Sequence, residues 1–194
     1  MKMEELSTMR ILTVDDSSFT LNVLLKELVA MGIGAEQIER VNSGAAALEK
    51  IAKQKYDLFI LDIVMPEISG FDVLKQVTQV QPDAKVIICS GSSSNDMVSE
   101  LVGMGIHAFL IKPFDSTDLA KAVRRLLFND KEGCLVATCH VCDKEMIEVD
   151  QVNTIHFFCP NHCMQIGPLS KALVNQHELD KDYKKAKERA QGKA

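Results

Sequence analysis

The stretch Leu58-Phe59-Ile60-Leu61-Asp62-Ile63-Val64-Met65-Pro66 decides the fold. Four consecutive apolar residues end on a carboxylate, and a proline stands four positions beyond it. A strand that is apolar on successive residues must be covered on both faces, which is the condition inside a parallel sheet flanked by helices. Asp62 then marks the point where the strand leaves the core and its loop begins.

The same pattern recurs on either side. Strands are expected at residues 10–14, 37–41, 58–61, 85–89 and 108–111. Amphipathic segments at 18–31, 44–53, 70–80, 95–104 and 116–128 separate or follow them. Ser18, Ser43, Ser69, Asn95 and Asp115 or Ser116 offer a side-chain oxygen to the free amides of a first turn. Leu21, Leu24, Leu25 and Leu28 repeat at helical spacing and give the first helix one apolar face. Alternation of this kind predicts an α/β fold, a five-stranded parallel doubly wound sheet over residues 8–129.

Composition agrees with that size. The chain has 194 residues, 46% hydrophobic and 25% charged, enough for one full core and a small second module. A net charge of −5 excludes a whole-protein basic field of the kind that concentrates nucleic acid. No run approaches the roughly 18 apolar residues of a membrane span, and the amino terminus lacks the apolar core of a secretion signal. A cytoplasmic protein without membrane contact is the expectation. Six cysteines are present, and five of them lie between Cys134 and Cys163. In a reducing compartment such clustering points to metal or redox chemistry before structural disulfides.

Functional residues of open parallel sheets collect at the carboxyl ends of the strands. There stand Asp15-Asp16 after the first strand, Asp62 after the third, Ser90 after the fourth and Lys112-Pro113 after the fifth. Three carboxylates held together repel, and a divalent cation or a lysine relieves them. Hard oxygen ligands that leave room for water and a phosphate match Mg²⁺. With that charge neutralised, one carboxylate can attack phosphorus and form an acyl phosphate.

In order, spacing and strand-end position, Asp15-Asp16, Asp62 through Met65-Pro66 with Gly70 following, Ser90-Gly91 and Lys112-Pro113-Phe114 closely resemble the receiver domain of two-component response regulators. The resemblance covers about residues 8–129 and implies a flavodoxin-like sheet of strand order 2-1-3-4-5. It implies that Asp62 accepts a phosphoryl group from the phosphohistidine of a sensor histidine kinase. Asp15, Asp16, Asp62 and the backbone carbonyl of Val64 would hold Mg²⁺, and Lys112 would bind a phosphoryl oxygen. Ser90 and Phe109 would form a switch pair in which the hydroxyl moves toward the phosphate and the ring turns inward. Phe109 departs from the tyrosine common in relatives and has no ring oxygen to hydrogen-bond. Val64 sets an apolar side chain beside the acceptor, which predicts a long-lived phosphoryl group.

After the polar turn at 129–133 the pattern changes. Residues 146–149 and 154–158 read as a β-hairpin. Around it lie Cys139-His-Val-Cys142 and Cys159-Pro-Asn-His162-Cys163, two short-spaced pairs a hairpin apart, which is what tetrahedral Zn²⁺ requires. The ligand set is Cys139, Cys142, Cys159 and Cys163, with His162 as the alternative to Cys163; Cys134, His140 and His156 stand in reserve. A zinc-ribbon-like module is expected over 134–168, closed by four protein ligands and so structural rather than catalytic. At this size metal binding would supply folding free energy. Residues 169–194 read as a charged helix or tail, basic from Lys181 onward. Cys89, within a strand-like run, reads as a buried apolar residue.

The leading functional expectation is a phosphorylation switch that changes protein–protein contacts through the receiver face and the zinc module, acting on an unknown downstream protein. The alternative is a phosphorylation-controlled nucleic-acid binder using the module and tail. No enzymatic output is expected beyond chemistry on Asp62 itself. Receivers also pair through the fourth-strand, fourth-helix, fifth-strand face, so a phosphorylation-dependent homodimer is a further expectation.

Overall fold

The structure is a computed structural model that describes residues 8–128, 137, 139, 142, 144–150, 154–161, 165–170 and 179. Strands β1 (Ile11–Val14), β2 (Ile38–Val41), β3 (Leu58–Asp62), β4 (Lys85–Ser90) and β5 (Ala108–Ile111) alternate with helices α1 (Ser18–Ala30), α2 (Gly44–Lys53), α3 (Gly70–Val80), α4 (Asn95–Gly103) and α5 (Ser116–Phe128). The five strands are parallel and ordered 2-1-3-4-5, as the resemblance implies.

Each face of the sheet has its own apolar cluster. Leu12, Phe59, Leu61, Val86 and Ile88 point to α2, α3 and α4, where Ala47, Val73, Leu74, Val98 and Leu101 meet them. Ile11, Leu58, Ile60 and Ile87 point to the other side, against Leu24 and Leu28 of α1 and Leu119 and Val123 of α5. The consecutive apolar residues of β3 and β4 are thus divided between two buried faces, which is why those strands carry no polar alternation.

Helix starts lie within one residue of expectation. Ser17, not Ser18, caps α1, and Ser94, not Asn95, caps α4; each hydroxyl accepts the amide three residues on, from Thr20 and Met97. Ser43 and Ser69 cap α2 and α3 as expected. Asp115 and Asp118 exchange reciprocal backbone-to-carboxylate bonds at the start of α5.

The sheet does not stop at five strands. Three more, β6 (Ile147–Asp150), β7 (Thr154–Phe158) and β8 (Gln165–Ser170), extend it to eight in the order β2-β1-β3-β4-β5-β6-β7-β8. The expectation of a five-stranded sheet beside a separate hairpin is corrected accordingly. The hairpin exists, β6 and β7 pairing antiparallel with Ile147 opposite Phe158, but β6 also pairs parallel to β5 through Phe109 and Val149. The physical reason is alternation: Ile147, Val149 and Phe158 share one face of the hairpin and join the cluster containing Ile88 and Phe109. The other face carries Ile155 and Phe157, packed with Cys139, Cys159 and Met146. β8 runs through Gly167-Pro168 to Ser170, beyond the expected end of the module at 168. Gly167-Pro168 fall where the β7–β8 register shifts, between Ile166 opposite Phe157 and Leu169 opposite Ile155, a bulge position at which proline is tolerated. Cys134, His140, His162, Cys163 and the expected helix, apart from Leu179 and the two residues that end β8, lie outside the described residues.

Candidate functional site

The strand ends bring the expected residues together. Lys112, just past β5, donates from Nζ to Asp15 Oδ2 and to Asp62 Oδ2, at 2.6 Å each. Asp15 is 1% exposed and Asp62 6%, so two carboxylates and an ammonium share a site with little water. Burial disfavours the Lys112 ammonium. Hydrogen bonds and charge from Asp15 and Asp62 outweigh that penalty and hold its pKa above the ordinary lysine value.

The remaining carboxylate oxygens are held by backbone. Asp15 Oδ1 accepts the Ser17 amide at 2.9 Å and Asp62 Oδ1 accepts the Val64 amide at 3.0 Å. Each bond spans two residues, so the loop that follows the strand orients the side chain that ends it. Asp16 is exposed, yet one of its carboxylate oxygens lies within 4.8 Å of oxygens of Asp15 and Asp62. A buried acid, a second buried acid and an exposed one, all oxygen donors at one mouth, fit a hard hexacoordinate cation such as Mg²⁺.

The Ser90 hydroxyl, fully buried, accepts the Ser92 amide at 3.2 Å, and the Ser90 carbonyl accepts the Lys112 amide at 2.8 Å. Phe109, 2% exposed, sits on β5 opposite Ile88 of β4 and Val149 of β6. Val64, whose amide bonds Asp62 Oδ1, has a side chain 64% exposed to solvent. Cys89 pairs in register with Asp62 but is buried, and burial pushes its thiol up, which keeps it protonated and inert.

Gly70 supports the site in a way its place in the motif does not reveal. A Cβ there would stand 2.1 Å from the Asp62 carbonyl oxygen and 2.7 Å from Ile63 Cα. Glycine lets α3 start directly against the backbone that carries the acceptor, with the Gly70 amide donating to the Ile63 carbonyl at 3.0 Å. The intervening loop turns at Glu67, whose φ of 62° lies in the left-handed region.

These arrangements belong with a set of known proteins. A family model for the response regulator receiver domain matches residues 11–124. The chain belongs to the response regulator receiver family. It is 33% identical over 117 residues to the chemotaxis protein CheY of Thermotoga maritima, a match covering 60% of this chain and 96% of the relative. The CheY of Bacillus subtilis is 33% identical over 118 residues, covering 61% and 97%. Among solved structures, the response regulator TrrA of Thermotoga maritima in complex with Mg²⁺-BeF is 33% identical with a TM-score of 0.54, covering 62% of this chain and all of that one. The CheY of a CheX–CheY–BeF₃–Mg²⁺ complex from Borrelia burgdorferi is 27% identical with a TM-score of 0.56, covering 60% and 87%. The chain therefore carries the CheY-like receiver of a two-component response regulator, and the family match ends before β6. Among the described residues no helix is long and apolar enough to cross a membrane.

The second cluster is the cysteine group. Ligand sulfurs of Cys139, Cys142 and Cys159 lie within 4.8 Å of one another, and Cys142 Sγ is 3.5 Å from Cys159 Sγ. Sulfurs on a tetrahedral zinc at about 2.3 Å stand about 3.8 Å apart, far beyond a disulfide bond. The spacing therefore fits shared metal ligation. Cys159 Sγ also accepts the Asn161 amide at 3.3 Å, the kind of turn amide that softens a thiolate's charge. His156 faces away from this cluster: its ring stacks on Phe158 and its Nδ1 bonds Gln165, so it is not brought to the sulfurs.

Proposed function

We propose that the chain is a phosphoacceptor switch in which Asp62 takes a phosphoryl group from a sensor histidine kinase's phosphohistidine. The observation that carries the reading is Lys112 bridging Asp15 and Asp62 at 2.6 Å each. An Asp62 oxygen attacks phosphorus, the P–N bond breaks, and the electron pair leaves on the imidazole, which takes a proton from solvent. Lys112 then transfers its hydrogen bond from the Asp62 carboxylate to a phosphoryl oxygen, so the new charge is met by a group already in place. Asp15, Asp16, Asp62 and the Val64 carbonyl would hold Mg²⁺, which when bound supplies Lewis-acid neutralisation of the phosphoryl oxygens.

Ser90 leaves the Ser92 amide to bond the phosphoryl group, and Phe109 moves into the space it opens. Exposed Val64 gives an attacking water no hydrogen-bond partner, which favours a long-lived phosphoryl group. The chain's output is a change in protein contacts rather than turnover of an external substrate. Cys139, Cys142 and Cys159, with Cys163 or His162 as fourth ligand, would hold a structural Zn²⁺ that fixes the hairpin. The test is incubation of wild type and Asp62→Asn with a labelled small-molecule phosphodonor. Acid-labile label is expected in the first and absent in the second; label persisting in Asp62→Asn contradicts the assignment.

A further inference from the structure

The receiver family match ends at residue 124, within α5, and the segment beyond it returns to the β5 edge. A parallel sheet that stopped at β5 would leave a row of unpaired backbone groups. Here β6 takes that edge, with Val149 opposite Phe109. Ile147, Val149 and Phe158 extend the receiver's own apolar cluster, so the contact buries core-type residues and not a polar rim. On the opposite side of the sheet Arg125 of α5 clamps the same segment. Its guanidinium bonds the Glu145 carboxylate, donates to the Met146 carbonyl at 3.3 Å and lies 4.0 Å from Glu148, and its side chain is only 16% exposed.

We propose that residues 145–150 and 154–158 are a tethered ligand of the receiver's β5 edge, clamped by Arg125 and released when Asp62 is phosphorylated. The proposal rests on the phosphoacceptor reading above. The path is short. Ser90 pairs in register with Ile111, and Phe109 lies two residues back along the same strand. In the structure the Ser90 hydroxyl is engaged by the Ser92 amide, and Phe109 stands in register beside Val149 within one apolar cluster. When Ser90 turns to the phosphoryl group and Phe109 follows it inward, Val149 loses the ring beside it, and the single-residue backbone pairing of β6 to β5 is left without that side-chain support. Such coupling is reciprocal: whatever factor phosphorylation removes from docking, undocking returns to binding at Asp62.

Hydrogen exchange of the full-length protein, with and without Mg²⁺ and beryllofluoride, tests this without any variant. Peptides covering 147–150 and 154–158 are expected to exchange at least about fivefold faster with beryllofluoride bound. Arg125→Glu is expected to give fast exchange in both states and a tighter apparent affinity for beryllofluoride by a matching factor. Reversing the partners with Glu145→Arg and Glu148→Arg in that background is expected to restore protection. Unchanged or increased protection, with beryllofluoride bound to wild type and not to Asp62→Asn, overturns the proposal and leaves the phosphoacceptor reading standing. Failure of wild type to bind beryllofluoride overturns both.

Discussion

The carboxylate site and the cysteine cluster both crowd groups that repel when ionised, and they are assembled by opposite means. Asp15, Asp62 and Lys112 stand at the ends of three strands that would pair with or without them, inside a sheet buried on both faces. Lys112 offsets part of their negative charge and leaves the remainder for a cation. Cys139, Cys142 and Cys159 instead border a hairpin of four- and five-residue strands that joins the sheet only at its β5 edge. The first site follows from a sheet that stands without it, whereas the second, if it holds zinc as proposed, would help to hold the hairpin that carries it.

That difference is most sharply tested by removing one sulfur. Cys159→Ser, or a chelator, is expected to lower bound zinc from about one per chain to near none. Because metal binding of this type is worth roughly 10 kcal/mol or more, β6 and β7 should lose their exchange protection. Receiver strands β1 to β4 should keep theirs. If they melt together with the hairpin, the cluster shared by Ile147, Val149 and Phe158 has made one cooperative unit of the two regions.

A smaller effect is expected at Gly70. Gly70→Ala places a methyl 2.1 Å from the Asp62 carbonyl, backbone that cannot swing aside. A loss of about 1–3 kcal/mol is expected by denaturant titration, with slower phosphoryl incorporation. The cysteine cluster should retain its metal in this variant.

His107 provides a pH signature confined to the receiver. Burial, with the Lys85 charge adding to it, takes its pKa down to about 4, and its Nδ1 accepts the Val86 amide at 3.2 Å. The unfolded chain therefore binds a proton between about pH 6.5 and 4 that the folded chain refuses. Stability should fall as pH drops through that window, by at most about 1.4 kcal/mol per unit and less where solvent screens the ring. His107→Gln should flatten the slope. The smallest effect is at Glu67, where the left-handed φ is strained for a side chain. Glu67→Gly should be neutral or stabilising by about 1 kcal/mol in thermal melts, without changing phosphoryl incorporation.

Much of the carboxylate site was legible because strand ends announce themselves. Apolar runs that stop on Asp15, Asp62 or Ser90 place those residues at one edge of any parallel sheet. Cap positions were legible only to within one residue, since Ser17 and Ser18, or Ser94 and Asn95, are equally able acceptors. The docking of β6 on β5 was not legible. Ile147 and Val149 alternate as a half-buried strand must, but alternation says nothing about which surface does the burying. Nothing in the sequence pairs Arg125 with Glu145 and Glu148, which meet only because α5 and the segment that leads into β6 lie side by side. The expected module ended at 168, whereas β8 runs on to Ser170, a continuation set by its pairing with β7.

The central claim is that Asp62 is the acceptor. Intact-mass spectrometry of wild type and Asp62→Asn after treatment with acetyl phosphate and Mg²⁺ tests it most directly. The account predicts a gain of one phosphoryl group by wild type, lost on hydroxylamine treatment as an acyl phosphate must be, and no gain by Asp62→Asn. An equal gain by both proteins would contradict it.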